Sequence, residues 1–276
     1  MTRGAASNAT NREDGRTGEA PPMALFDAHL HIIDPRFAVT ANQGYRPPAF
    51  TVADYRAQAG PLGITGGAVV AGSFQGFDPE PIIAAVRALG AGFVGVAQLA
   101  SETSEEEIAR LAVDGLRAVR FNLRRGMCPE PAAILDLAMR AHRVAGWHAE
   151  LYLDAAELPN LAALVDRLPA VCFDHLGLTR RGLPHLLRQV ERGAKVKASG
   201  FARLDFPAAE AIRAIVDVDP AAILFGTDLP GTRAPRPFAP EDLEQLAESV
   251  GDGTQLRRLL HDNAVALYRP NQVQPD

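Results

Sequence analysis

Eight short apolar runs, rich in β-branched and aromatic residues, alternate along this chain with stretches of helical periodicity from Ala24 onward. This alternation is typical of a parallel sheet built from strand-helix units. The predicted strands are 25–33, 67–71, 93–99, 116–123, 147–153, 170–175, 195–200 and 223–227. Eight units predict a closed α/β barrel, the (β/α)8 or TIM-barrel fold, in a single domain.

The helices predicted between the strands carry their own boundary signals. Ser104 followed by Glu107 is a capping-box pattern, and Gly115 and Gly146 stand where two helices end. The predicted helices are 52–58, 79–89, 105–113, 131–145, 158–168, 183–191 and 208–216, followed by two terminal helices at 240–250 and 254–268.

Composition excludes several classes of protein. The chain has 276 residues, 47% hydrophobic and 22% charged, which suits one large globular domain. Its net charge of −5 and the lack of a basic block argue against a nucleic-acid partner. Its apolar stretches are only strand-length and no signal core opens the chain, so we expect no membrane partner and a cytoplasmic location. Cys128 and Cys172 are too few for a disulfide framework.

The two ends of the chain differ from its centre. Residues 1–22 are rich in small and charged residues without apolar periodicity, so we expect a disordered N-terminal segment. The barrel is predicted over residues 23–270, with a short tail at 271–276. Met23 directly precedes the first strand, and either Met1 or Met23 is compatible with the start of translation.

The first predicted strand carries two histidines, His29 and His31, in an apolar run. Since side chains alternate across a strand, we expect both rings to project from one face with Asp27 below them, while Ala28 and Leu30 pack behind. Each buried ring brings nitrogens that need partners. A shared chemical role is therefore favoured over two solvated histidines on an edge strand.

Barrels of this kind place their sites at the carboxyl ends of the strands, where this chain has several polar residues. Ser73 follows the second strand and either donates a hydrogen bond or caps a turn. Arg120 and Asn122 share a face of the fourth strand, and Arg124 and Arg125 follow it. An arginine inside a barrel requires an anion, which is either a structural carboxylate or a bound substrate.

The remaining strands end in further polar residues. Tyr152 ends the fifth strand, His175 the sixth, and Arg203 follows the seventh. The eighth strand is apolar, and Asp228 follows it where the backbone leaves the sheet. Asp228 is the strongest candidate for a general base, the alternative being a cap on the next turn.

These motifs, taken in order, resemble the amidohydrolase superfamily. They read Asp-Ala-His-x-His, Val-Arg-Phe-Asn, Asp-His-Leu-Gly, Ser-Gly-x-x-Arg, Gly-Thr-Asp-x-Pro and a terminal Asp-Asn-Ala-Val-Ala-Leu-Tyr. More narrowly, they resemble its branch of 2-pyrone-4,6-dicarboxylate lactonases and related sugar-lactone hydrolases. The resemblance spans residues 25–268.

The resemblance implies a hydrolase that opens a carboxylated lactone, a small anionic substrate, at a site made of His29, His31, His175 and Asp228. It also implies that arginine, tyrosine and serine side chains hold the anionic groups of the substrate. The corresponding residues are Arg120, Arg124, Tyr45, Ser73, Tyr152 and Arg203, with the match at Arg124 or Arg125 open by one residue. This chain has Leu178 where such lactonases often have an arginine.

The resemblance leaves the role of a metal open. Metal-dependent members usually add a histidine at the end of strand five, where this chain has Tyr152, and His148 should lie more than about 10 Å deeper along that strand. We expect catalysis without a cofactor, in which imidazole N–H groups and an arginine stabilise the oxyanion and Asp228 takes a proton from water. The alternative is one zinc ion held by His29, His31 and Asp228.

Other functions remain open at this point. They are a zinc-dependent hydrolase or decarboxylase, an aldarolactone isomerase using the same residues, and a barrel that only binds a carboxylated sugar derivative. We expect a monomer or a homodimer.

Overall fold

The computed structural model describes Met1 and residues 23–270, so the predictions for 1–22 and 271–276 fall, Met1 apart, outside the described residues. Eight parallel strands form one sheet in sequence order. They are β1 (Leu25–Leu30), β2 (Ile64–Val70), β3 (Phe93–Ala97), β4 (Leu116–Phe121), β5 (His148–Leu151), β6 (Val171–Phe173), β7 (Lys195–Ala198) and β8 (Ile223–Phe225). The predicted (β/α)8 barrel is confirmed.

Helices alternate with the strands, and several of their bounds coincide with the predicted ones because caps and glycines act locally. The helices are α1 (Val52–Ala59), α2 (Glu80–Leu89), α3 (Glu105–Val113), α4 (Pro131–Ala145), α5 (Leu158–Val165), α6 (Leu183–Glu191), α7 (Ala208–Val218), α8 (Pro240–Val250), α9 (Gly253–Arg257) and α10 (Asn263–Tyr268). The last predicted helix is divided, because a π-helical turn at Arg258–Asp262 separates α9 from α10. Within the described residues, every helix is too short or too polar to cross a bilayer.

The strands end earlier than the apolar runs predict. The first run was expected to remain a strand to residue 33, but β1 ends at Leu30. Ile32 and Ile33 are nevertheless buried, because Ile33 pairs with Phe50 of the loop that follows. Apolar character thus continues past the last ladder hydrogen bond, and the polar residues at the strand ends lie in the turns that form the rim.

The barrel closes between β8 and β1 through hydrogen bonds beyond the ladders. The N–H of Asp228 donates to the carbonyl oxygen of His29 at 2.7 Å, and the N–H of His31 donates to that of Leu229 at 2.8 Å. Lower in the barrel, α10 contacts both strands, and the Tyr268 ring stacks on Phe26. Residues from strands one and eight are therefore held side by side at the rim.

Strict alternation along β1 was wrong, because the strand contains a bulge. Asp27 pairs with Gly67 and Leu30 pairs with Val69, so β1 contains one residue more than β2 between these two pairs. Ala28 packs in the cluster inside the barrel, whereas Leu30 packs in the cluster that contains Tyr55 of α1. Asp27 does not lie below the histidines, because its carboxylate accepts a hydrogen bond from the Tyr55 hydroxyl at 3.0 Å.

Candidate active site

Three imidazoles and one carboxylate meet at the rim of the barrel. Oδ1 of Asp228 lies 3.4 Å from Nε2 of His31, 3.8 Å from Nε2 of His29 and 4.0 Å from Nε2 of His175. All four side chains are buried. Oδ1 of Asp228 and Nε2 of His29 have no hydrogen-bond partner among the described residues. The structure thus brings together the four residues predicted as catalytic and leaves polar atoms directed at the space between them.

The backbone that presents two of these residues is strained. Asp228 and His175 adopt left-handed conformations, with φ of 59° and 52°, which are costly for residues other than glycine. Gly200, with φ of +59°, lies against His175, and a Cβ at this position would be 2.6 Å from Nδ1 of that ring. The turn after β7 therefore needs a glycine both for its conformation and for the close approach of His175.

His29 lies in β1 and His31 directly follows it, and the contacts of their Nδ1 atoms favour different tautomers of the two rings. Nδ1 of His31 lies 2.7 Å from the carbonyl oxygen of Val70, which only accepts, so the neutral ring carries its proton on Nδ1. Nδ1 of His29 lies 3.3 Å from the ammonium of Lys197, which only donates, and 3.2 Å from Oδ1 of Asp174, which only accepts. The hydrogen bond from Lys197 requires that this ring carry its proton on Nε2. At the centre of the site, His31 therefore presents a lone pair and His29 presents an N–H group.

A layer of buried charges lies beneath the histidines. The ammonium of Lys197 is 2.5 Å from Oε2 of Glu150 and 3.4 Å from Oδ1 of Asp174. Asp174 also pairs with Arg120, whose Nη2 lies 2.7 Å from Oδ2. Burial would lower the pKa of Lys197, but Glu150 and Asp174 raise it, so this lysine remains charged.

Burial and neighbouring groups shift the pKa values of Asp228, His29 and His175. Burial alone would raise the pKa of Asp228, but its interactions with His175 and Arg203 hold it well below its usual range, and of these two partners Arg203 carries the charge at pH 7. Arg203 contacts Asp228 directly, with Nη2 at 2.6 Å from Oδ2. Burial lowers the pKa of His29 to about 4 and also lowers that of His175, so both rings are neutral at pH 7.

A pocket of about 340 Å³, its open mouth included, lies over these residues. Its lining is mostly polar and cationic. It consists of His31, Gly72, Ser73, Phe74, Arg120, Asn122, Arg125, Tyr152, His175, Arg203, Thr232 and Arg233. Arg120 and Arg203 are paired with carboxylates, whereas Arg125 and Arg233 have no carboxylate within 4.0 Å among the described residues. Burial and then the charge of Arg125 lower the pKa of Arg233, so two cations lie near each other at the mouth.

The predicted substrate-binding residues fall into two groups. Ser73, Tyr152, Arg120 and Arg203 line the pocket, although both arginines also form the ion pairs described above. Arg124 was predicted to bind substrate, but its side chain is exposed and lies outside the pocket. Its neighbour Arg125 lines the pocket instead.

Tyr45 lies at the mouth rather than in the lining. Its ring stacks against the guanidinium of Arg233, 4.7 Å from the ring centroid. Asn42 holds this region together: its Oδ1 accepts from Ser73 at 3.2 Å and its Nδ2 donates to the carbonyl oxygen of Arg125 at 3.3 Å. Near Leu178, Arg180 pairs with Glu210 at 2.6 Å and does not line the pocket.

Sequence reasoning missed Lys197 as a neighbour of His29, and it did not decide whether Arg124 or Arg125 lines the pocket. The two arginines belong to loops, where no periodicity shows which side chain points inward. Lys197 did carry a signal, because it is a charged residue inside the apolar run of β7 and one of only two lysines in the chain.

The donor set does not fit a metal ion in its present hydrogen bonding. His29, His31 and Asp228 bring one ligand atom each within 4.8 Å of one another, as do His29, Asp174 and His175. A ligating histidine must offer a lone pair. Nε2 of His29 carries a proton when Nδ1 accepts from Lys197, so His29 cannot complete the first set.

Comparisons with known proteins agree with this geometry. The family model for amidohydrolases matches residues 26–269. The chain is 26% identical to a 2-pyrone-4,6-dicarboxylate hydrolase of Comamonas testosteroni, covering 91% of this chain and 92% of that protein. It is 22% identical to a 4-sulfomuconolactone hydrolase of Hydrogenophaga intermedia, covering 90% and 89%.

A crystal structure of an Agrobacterium tumefaciens protein in its apo form superposes with a TM-score of 0.82 at 23% identity, covering 91% of this chain and 98% of that one. At this identity the likeness shows the barrel fold. The family match over almost the whole described range shows more: this chain belongs to the amidohydrolase family.

Proposed function

We propose that this protein is a lactonase that hydrolyses the ring ester of a small lactone bearing two anionic groups, without a metal ion. The observation that carries the proposal is the position of Asp228. Its buried Oδ1 faces three imidazoles below a pocket that contains Arg125 and Arg233. Among the residues that the structure describes, this oxygen has no hydrogen-bond partner and neither arginine has a carboxylate partner.

The acceptors of the site suit an attacking water. Oδ1 of Asp228 and Nε2 of His31 lie 3.4 Å apart, and both accept hydrogen bonds. A water molecule donating one proton to each atom is oriented with its lone pair toward a substrate above them. Asp228 then removes a proton as the water oxygen attacks the ester carbonyl carbon.

The donors of the site suit the developing oxyanion. Nε2–H of His29 is buried and has no partner among the described residues, so it is free to donate to the carbonyl oxygen as charge develops there. One fixed donor of this kind typically contributes about 3 kcal/mol to a transition state. Neutral His31 does not serve as a donor, because its N–H is directed at Val70.

The ring opens when the bond between the carbonyl carbon and the ring oxygen breaks. Asp228 returns the proton to the departing oxygen, which leaves as a hydroxyl or enol, and the new carboxylate keeps the oxygen of water. The second proton of the water is released to solvent when the new carboxyl group ionises. Each turnover therefore consumes one lactone and one water and leaves Asp228 ionised again.

The arginines support a substrate with two anionic groups. Arg125 and Arg233 repel each other unless an anion lies between or beside them, and guanidinium groups bind carboxylates in bidentate geometry. The names of the two curated relatives describe a dicarboxylated pyrone and a sulfonated muconolactone, both cyclic esters with anionic groups. The similarity covers 92% of the first of these proteins and 89% of the second.

A panel of lactones tests the proposal. Purified protein is assayed on 2-pyrone-4,6-dicarboxylate, 4-sulfomuconolactone, monocarboxylated sugar lactones and an uncharged lactone, each with and without a chelator, in water enriched in 18-oxygen. We expect turnover of a doubly anionic lactone that survives chelation and places one solvent oxygen in the product carboxylate.

Other outcomes would identify the alternatives. A product that contains no solvent oxygen would indicate an isomerase. Loss of activity with chelator and its return with one equivalent of zinc would indicate a zinc-dependent enzyme and contradict the proposal.

A further inference from the structure

The ammonium of Lys197 has a role that the proposed reaction does not require. It is fully buried inside the barrel, one strand position below the rim, and touches neither the pocket nor Asp228. Its three N–H groups face Glu150 at 2.5 Å, Asp174 at 3.4 Å and Nδ1 of His29 at 3.3 Å. Only the contact with His29 reaches a residue of the candidate active site that faces Asp228.

Two groups compete for Nδ1 of His29, and they favour opposite tautomers. Oδ1 of Asp174 lies 3.2 Å away and would accept a proton from Nδ1. Its contact with the ring raises the pKa of His29 against the effect of burial, but this oxygen makes no aligned hydrogen bond among the described residues. The Lys197 contact is aligned and donates to the ring. The geometry therefore favours the tautomer with its proton on Nε2.

We propose that Lys197 is a positioning residue that holds His29 as an Nε2–H donor and thereby prevents the histidines and Asp228 from binding a divalent metal. The inference deepens the proposed function, on which it rests, because it gives the reason why this site works without a metal. It makes His29 a hydrogen-bond donor at the reacting centre instead of a ligand.

Removal of the ammonium should reverse this assignment. Without Lys197, Nδ1–H of His29 can donate to Asp174, the carboxylate that now lacks a partner on Oδ1. Nε2 of His29 then offers a lone pair toward the same space as Nε2 of His31 and Oδ1 of Asp228. Oδ1 of Asp228 lies 3.8 Å from Nε2 of His29 and 3.4 Å from Nε2 of His31. Two imidazoles and a carboxylate are ligands that zinc prefers.

The test reads the tautomer directly in the resting protein. Long-range proton–nitrogen NMR of the metal-free, ligand-free protein distinguishes Nδ1–H from Nε2–H, and the signal of His29 is assigned by its absence in His29→Gln. The wild type is compared with Lys197→Met/Glu150→Gln, which removes both charges of the buried pair together. Lys195→Met is the matched control, since it changes the other lysine of β7, which bonds the carbonyl oxygen of Ala221.

We expect Nε2–H in the wild type and in Lys195→Met, and Nδ1–H in the double variant. Zinc titration against a competing chelator should show about tenfold or greater tightening in the double variant only, as is typical when the hydrogen-bond partner of a ligating histidine changes. Nδ1–H in the wild type would overturn the inference, whether or not the double variant folds.

Tighter zinc binding without a change of tautomer would also overturn it, because removal of a positive charge alone explains that result. Neither readout uses turnover. If no lactone is hydrolysed while the tautomers behave as expected, the proposed function fails and this inference stands. If a lactone is hydrolysed and the tautomer is Nδ1–H, only this inference fails.

Discussion

Nε2 of His31 faces Oδ1 of Asp228 across 3.4 Å, while the opposite nitrogen of the same ring lies 2.7 Å from the carbonyl oxygen of Val70. A neutral His31 therefore presents a lone pair to a carboxylate. Two acceptors at this distance are stabilised by a species that donates to both, and water does so without any change in the charge of the site. In the proposed reaction, this relationship gives the two histidines separate roles: His31 would orient water and His29 would donate to the substrate.

Asp228→Asn should lower kcat by about 10²- to 10⁴-fold, the usual contribution of a general base. Asparagine has nearly the same shape and tolerates the left-handed backbone of this position, where φ is 59°. Circular dichroism should therefore match the wild type while turnover of the best lactone falls, although loss of the ion pair with Arg203 should lower the melting temperature. Turnover at the wild-type rate would show that another group accepts the proton.

Arg125→Met should raise KM for a doubly anionic lactone by about 10- to 100-fold, because a hydrogen-bonded charge pair contributes about 1.5–3 kcal/mol. KM for a singly anionic lactone should rise less. Arg124→Met is the matched control, since it removes the same charge from the next residue, whose side chain is exposed and outside the pocket. Equal effects of the two variants would indicate long-range attraction rather than contact.

Gly200→Ala should reduce kcat by about 10²-fold by displacing His175, because its Cβ would lie 2.6 Å from Nδ1 of that ring. Gly251→Ala is the control. That glycine has φ of +74° and no atom within 4 Å of an added Cβ, so it carries the same kind of backbone penalty without a clash. Both variants should have a lower free energy of unfolding in chemical denaturation. Only Gly200→Ala should also have a lower kcat.

Asp27 should make wild-type stability depend on pH. Burial raises its pKa to about 6 from a usual 3.8, although Thr227 and Tyr55 donate hydrogen bonds to it. Between these two values the folded state binds a proton that the unfolded state does not. The contribution is therefore fully present below pH 3.8 and is lost as the pH rises through 6.

The comparison with Asp27→Asn isolates this contribution, because the variant has no titrating group there. Urea unfolding from pH 7.5 down to pH 4.5 should show wild type gaining stability relative to the variant, by up to about 3 kcal/mol over the whole shift. A difference that stays constant with pH would mean that Asp27 is not protonated in the folded protein.

The barrel and the residues of its centre were predictable because their signals are local or follow from the fold class. Alternating apolar runs identify strands and helices wherever they occur in the chain. The rule that barrel sites lie at the carboxyl ends of strands gave a list of polar candidates. The resemblance to the amidohydrolase superfamily then selected His29, His31, His175 and Asp228, and the structure brings these four together.

Predictions that needed one-residue accuracy outside regular structure were less successful. Arg124 and Arg125 are adjacent in a turn after β4, and only the turn geometry decides which guanidinium enters the pocket. The bulge in β1 is equally invisible to alternation, because it depends on pairing with β2. The carboxylate of Asp27 consequently accepts hydrogen bonds from Tyr55 of α1 and from Thr227 after β8, and it does not face the candidate active site.

The eightfold alternation, the rim positions of the polar residues and the family could be predicted from the chain, because periodicity and motif order are local properties of an amino-acid sequence. The partner of each polar atom could be identified only once the strands were assembled in the barrel. Arg120 has Asp174, Arg203 has Asp228 and His29 has Lys197, pairs whose members are 25 or more residues apart in the chain. The physical reason is that a buried polar group takes its protonation state and tautomer from whatever the fold places beside it, and no local pattern encodes that neighbour.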